Sequence, residues 1–136
     1  MKARFKKYVL NFKSPSGTSG GILRTKETWF LITEEDGKLG IGECGLFRGL
    51  SFDDVPEYEE KCKWVVENIH LGKSTLLKEL IEFPSIQFGL EQALLSLAGD
   101  NPFELFKSSF LQDNAPISIN GLISDGGFSI YESTDR

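Results

Sequence analysis

Glu27–Leu50 reads ETWFLITEEDGKLGIGECGLFRGL. Glu27–Thr33 is rich in aromatic and β-branched residues with apolar positions on both faces, which predicts a strand. Asp36-Gly37 is a two-residue hairpin signal. Lys38–Cys44 returns as the next strand and runs into a glycine-rich loop that carries Arg48. Glycines at such a junction let backbone approach another surface or a ligand, and they equally serve a hairpin end or a bulge.

Upstream, Arg4–Phe12 reads as a further strand through Phe5, Tyr8, Val9, Leu10 and Phe12. The imperfect alternation predicts a bulge or two-sided burial near Tyr8. Ser14–Gly21, SPSGTSGG, is small, polar or proline throughout and reads as a loop. The first third is therefore an antiparallel meander of three strands. From Ser51 the period changes to that of a helix. Ser51 and Asp54 form a capping-box-like start, Pro56 suits a first turn, and Val55, Tyr58, Cys62, Val65 and Ile69 recur at helical spacing up to Gly72. Ser74 caps a shorter helix through Leu80 and Ile81, ending before Pro84. Ser85 starts a third, striped by Ile86, Leu90, Ala93, Leu94 and Leu97. Gly89 inside it costs about 1 kcal/mol relative to alanine, and close packing against a neighbour would account for it. Asn101, Pro102 and Glu104 suggest one more short turn of helix, and Pro116–Ile123, PISINGLI, a late strand. Strands first and helices afterwards make an α+β protein, a three-stranded meander followed by a helical bundle.

Composition narrows the function. The chain has 136 residues, 40% hydrophobic and 26% charged, with a net charge of −5. That suits one folded domain and argues against nucleic acid as a partner. The basic residues Lys2, Arg4, Lys6, Lys7 and Lys13 lie within the strand-like run and read as solvated. Two cysteines and one histidine cannot build a disulfide framework or a His/Cys metal site. No signal peptide or membrane-spanning run is apparent, so a reducing cytoplasm is the expectation.

Catalytic constellations are sparse. Glu43 is placed for a base and Cys44 for a nucleophile, but a cysteine enzyme wants a histidine partner, and His70 is far along the sequence. Cys44 and Cys62 read more simply as small core hydrophobes. Arg24 and Arg48 follow glycine-bearing stretches, where a guanidinium suits bidentate capture of a carboxylate. Asp53, Asp54, Glu57, Glu59 and Glu60 gather at a helix N-terminus, where the macrodipole explains them without a metal. Ser16–Gly21 lacks the Lys-Ser/Thr ending of a phosphate loop.

In combination, SPSGTSGG, TKETWFLI, GIGEC, FPSIQFGLEQALLSL and PISINGLI resemble the N-terminal part of an o-succinylbenzoate synthase, in the muconate-lactonizing branch of the enolase superfamily. The resemblance covers residues 1 to about 123. It implies an α+β capping domain over 1–113 and, over 114–136, a remnant of the first barrel strand with a divergent tail, SDGGFSIYESTDR. In such enzymes a modified eight-stranded barrel carries the catalytic lysines and three acidic ligands for Mg²⁺, and the dehydration yields o-succinylbenzoate for menaquinone synthesis. The resemblance gives this chain no catalytic residue, metal ligand or cofactor of its own, and a truncated or frame-shifted reading frame is the expectation. Two substrate-capping loops are implied, Ser14–Arg24 and Gly45–Ser51, with Thr18, Ser19, Arg24, Leu46, Phe47, Arg48 and Leu50 as their contact residues. Gly20 stands where relatives tend to carry arginine, and GLFRGLS replaces a proline-containing version.

Two readings follow. In the first, the chain caps a small carboxylate substrate only together with a barrel and is inactive alone. In the second, it is a stand-alone binding or interaction module, or the cap of a related racemase or epimerase. Either way Leu46, Phe47 and Leu50 are expected to be exposed, and the bare cap face to promote homo-oligomers. Neither nucleic acid nor membrane is expected as a partner.

Overall fold

The computed structural model describes residues 1–18, 21–113 and 115–118. Two units are distinguished, Met1–Phe106 and Lys107–Arg136. The first holds a three-stranded antiparallel sheet of β1 (Lys2–Thr18), β2 (Gly21–Glu35) and β3 (Lys38–Leu46), in that spatial order. Glu35 pairs with Lys38 across the expected two-residue turn, where Asp36 (φ 50°) and Gly37 (φ 77°) both sit in the left-handed region.

The first hairpin is longer than its composition suggested. The stretch read as a loop from Ser14 is strand as far as Thr18, pairing Ser16 with Leu23, Gly17 with Ile22 and Thr18 with Gly21. The register shifts between Asn11 and Ser16, so the irregularity falls after Tyr8, and Pro15 lies in it, where a missing N–H costs no ladder bond.

Helix α1 spans Tyr58–Glu67, a single 3₁₀ turn Ile69–Leu71, α2 Lys73–Glu79 and α3 Pro84–Ala98. The helix expected from Ser51 thus begins seven residues later, because its capping groups are engaged locally. The Phe47 N–H donates to Ser51 Oγ (2.9 Å) and the Gly49 N–H to Asp54 Oδ2 (2.6 Å). Gly72, at φ 80°, separates the 3₁₀ turn from α2, and Pro84 opens α3 at its first position. At Asn101 there is a turn in place of the expected helix. The Asn101 side chain accepts the Phe103 N–H (3.0 Å) and its carbonyl the Glu104 N–H (3.1 Å). In the second unit, α4 (Ser109–Asp113) had no sequence signal. Pro116–Ser118 are in no strand, and the remainder of the expected Pro116–Ile123 strand lies outside the described residues.

The core joins Trp29, Leu31, Cys44 and Leu46 of the sheet to Tyr58, Cys62, Val65 and Ile69, to Leu76 and Leu80, and to Ile86, Leu90 and Ala93 of α3. The helical stripes read from spacing are the buried faces. α3 lies unusually close to β3. A Cβ at Gly42 would strike the Gly89 carbonyl oxygen, one at Gly40 the Ala93 carbonyl oxygen, and one at Gly89 the Cys44 sulfur. At that range α3 also satisfies the free edge of β3. The Ile41 N–H donates to Ser96 Oγ (3.0 Å) and the Glu43 N–H to Gln92 Oε1 (2.9 Å).

Candidate functional site

Both sequence-predicted loops emerge at one end of the sheet. Leu46, the last residue of β3, pairs with Glu27 of β2. From Lys26 back to Gly21, β2 has only β1 beside it, so the first hairpin projects as an arm of about 20 Å at strand rise. Phe47–Ser51 leaves β3 at the base of that arm.

Along the arm Arg24 is exposed and makes no ion pair among the described residues, and Ile22 beside it is 66% exposed. Thr18 ends β1, and Ser19 lies outside the described residues. In the second loop Leu46 does not have the expected exposure. It is fully buried, because it faces the helices as the last inward residue of β3. Phe47 is half-buried, with the Lys26 ammonium 5.3 Å from its ring centre. Leu50 is exposed, beyond Gly49 at φ 75°.

Arg48 is held by its own chain. Its Nε and Nη2 donate to Glu27 Oε2 (2.9 and 2.6 Å) and its Nη1 to Asp54 Oδ1 (2.6 Å). Lys7 extends the network, lying 3.1 Å from Glu27 and 2.8 Å from Glu59. Both cations lie over Trp29, Lys7 at 4.9 Å and Arg48 at 5.8 Å from a ring centre. The Gly49 N–H and then Arg48 hold the Asp54 carboxyl below its ordinary range. In this arrangement Arg48 fixes the loop, and its guanidinium fork is occupied. An open groove of about 570 Å³ beside it is lined by Arg48, Asp54, Pro56, Glu59 and Lys63.

Glu43 and Cys44 are structural. The Glu43 carboxylate accepts Lys26 Nζ and Thr28 Oγ1, both at 2.9 Å, and the Lys26 bond leads in lowering its pKa. Cys44 is fully buried against α3, and desolvation pushes its thiol far above the range where a thiolate forms. His70 is exposed on the 3₁₀ turn and no hydrogen bond joins the two. Asp53, expected among the acids at a helix N-terminus, lies five residues before α1 and has another role. It is buried, accepts the Ser85 N–H (2.9 Å) and Ser85 Oγ (2.6 Å), and so ties the loop to the start of α3; Tyr58 shares that serine at 2.6 Å. A bond between residues 32 apart leaves no local spacing to detect. Among the described residues no group of three or more His, Cys, Asp or Glu is placed to hold a metal, and no helix is long and apolar enough to cross a membrane.

No family model matches the chain. It is 28% identical over 154 residues to an o-succinylbenzoate synthase of Desulfotalea psychrophila, a match covering 90% of this chain and 42% of that protein. The crystal structure of MenC from the same organism superposes with a TM-score of 0.70 at 24% identity, covering 93% of this chain and 42% of that one. A mandelate racemase/muconate lactonizing protein from Herpetosiphon aurantiacus gives 0.54 at 17% identity, over 71% of this chain and 29% of that one. The two structures establish the fold. The likeness to the N-terminal part of o-succinylbenzoate synthase holds in sequence and in fold, and the chain spans less than half the length of these relatives.

Proposed function

We propose that this chain is the substrate-capping part of an o-succinylbenzoate synthase-like enzyme. The arm and the Phe47–Ser51 loop close over a small carboxylate held by a barrel domain. The observation that carries the reading is the convergence of those two segments at one end of a sheet whose fold matches MenC over 93% of the chain. Thr18, Ser19 and Arg24 would approach the substrate from the arm, and Phe47, Arg48 and Leu50 from the second loop. Leu46 anchors the loop's root in the core. Of Arg24 and Arg48, Arg24 makes no ion pair among the described residues, which favours it for a substrate carboxylate. Mg²⁺ would be held by the barrel's carboxylates, as the resemblance implies. Alone the chain is inactive. Two buried free thiols suit a cytoplasmic setting. A racemase or epimerase cap has less support, from fold likeness alone.

Two measurements test this. The isolated chain with Mg²⁺ and the o-succinylbenzoate synthase substrate should give no turnover, and clear turnover would overturn the reading. The nucleotide sequence after codon 136 should encode a barrel with a Lys-x-Lys strand, in frame or shifted. An unrelated gene there would favour a stand-alone binding module.

A further inference from the structure

The two edges of the sheet are treated differently. β3 is covered, since its outward Ile41 and Glu43 N–H groups donate to side-chain oxygens of α3. β1 is the other edge, and among the described residues no strand pairs with its outer side. Every second residue of an edge strand turns its N–H and C=O away from the sheet, ready to pair. In the middle of β1, three consecutive apolar residues stay in water: Tyr8 is 51%, Val9 43% and Leu10 37% exposed. Consecutive strand residues point to opposite faces, so this segment is uncovered on both. A helix docking on one face would leave the other bare, whereas an added strand extends both.

We propose that β1 pairs antiparallel with β1 of a second copy about a two-fold axis at Val9, joining the two sheets into one. The basic residues and the register shift after Asn11 together select the pairing. A two-fold at Lys6 or Lys7 sets lysine against lysine, and one at Leu10 pairs only Val9–Asn11 before the register shift and leaves Tyr8 out. A two-fold at Tyr8 avoids this but puts Lys7 and Lys6 opposite Val9 and Leu10. At Val9 all three apolar residues meet: Val9 faces Val9, Tyr8 faces Leu10, and Lys7 faces the neutral Asn11. The paired stretch Lys7–Asn11 also stays within the regular part of the strand, before the register shift that follows Asn11. Lysines on an edge commonly discourage pairing, and here they help exclude the wrong registers. A like copy satisfies this pattern with no acidic partner. The inference is independent of the capping role, since β1 edge pairing leaves the two loops free.

Sedimentation of the 136-residue chain should give twice the monomer mass as concentration rises. Val9→Lys sets two lysines face to face and should sediment as monomer with an unchanged far-UV spectrum. Under mild oxidation Val9→Cys should form a reducible cross-linked dimer, because residues facing each other across the axis bring their Cβ atoms to about 5 Å. Ile22→Cys, more exposed than Val9 but away from the axis, should cross-link far less. If Val9→Lys fails to fold, the cysteine pair decides. A wild-type chain that stays monomeric, a folded Val9→Lys that stays dimeric, or Ile22→Cys cross-linking as fast as Val9→Cys would each overturn the proposal. Monomeric wild type whose stability falls in Val9→Lys would instead place a segment of the same chain on this edge.

Discussion

Gly42 and Gly89 face each other where β3 meets α3, and neither has room for a Cβ. Alanine at 89 would gain about 1 kcal/mol in helix propensity. It would also drive a methyl group into Cys44 Sγ, and overpacking of this kind costs about 1–3 kcal/mol or more. Packing wins, so Gly89→Ala should lower the urea midpoint. Gly17→Ala, with nothing within 4 Å, should leave it nearly unchanged. The close contact at Gly89 was legible as a glycine out of place in a helix. Its partner was not, because the Gly-x-Gly pattern of β3 fits a loop glycine and a docking glycine equally well. The same contact removes Cys44 from chemistry. Its thiol and that of Cys62, which desolvation pushes up to about 12, should react with thiol reagents only as fast as the chain unfolds. Glu43 gives a pH dependence. Its carboxyl titrates lower in the folded chain than the ordinary 4.5, chiefly through Lys26. The stabilisation is therefore present above that value and is lost as pH falls through the folded pKa. Glu43 is 40% exposed, so solvent screening limits the effect to about a few tenths of a kcal/mol. Urea midpoints should fall less steeply on acidification in Glu43→Gln than in the wild type.

Between β3 and α1 the chain makes an element that is neither strand nor helix, and two aspartates organise it differently. Asp53 points inward to Ser85 and Asp54 outward to Arg48 and Gly49. Removing Asp53 strips a buried carboxylate from the start of α3 and leaves the Ser85 N–H without its acceptor, so Asp53→Ala should cost about 1–3 kcal/mol by urea unfolding. Asp54→Ala breaks an exposed pair and should cost at most about 1 kcal/mol. Its mark should be kinetic, with faster amide exchange at Gly49, whose N–H loses its acceptor, and no change deep in α3. Equal stability losses in the two variants would contradict this division. Sequence located α2 and α3 well, because their apolar spacing and Pro84 act locally. It misplaced the start of α1 because Ser51 and Asp54 are good caps by type, and only the folded chain shows that Phe47 and Gly49 claim them. The arm was hidden for a related reason. SPSGTSGG is turn-like in composition, yet most of it extends as strand once Thr18 and Gly21 pair.

Taken whole, the chain separates its stable part from the parts proposed to meet other molecules. Every residue of the buried cluster lies between Trp29 and Ala93. The arm, the exposed centre of β1 and Leu50 stand outside that cluster. This is the division a cap requires, a rigid base bearing surfaces that become useful only against a second body. It also explains why the resemblance was readable from so few residues. GIGEC and SIQFGLEQALLSL are the two sides of the contact where neither Gly42 nor Gly89 has room for a Cβ. A test at this scale is to end the chain at Phe106. Because among the described residues the core cluster ends at Ala93 and the turn at Asn101 bonds to its neighbours and to Ser96, the fragment should unfold cooperatively. Its Tm should lie within about 4 °C of the full chain's, the shift that about 1 kcal/mol produces in a domain of this size. A fall well beyond that, or a broadened transition, would mean that residues after Phe106 complete the core, and the cap would have to be redrawn to include them.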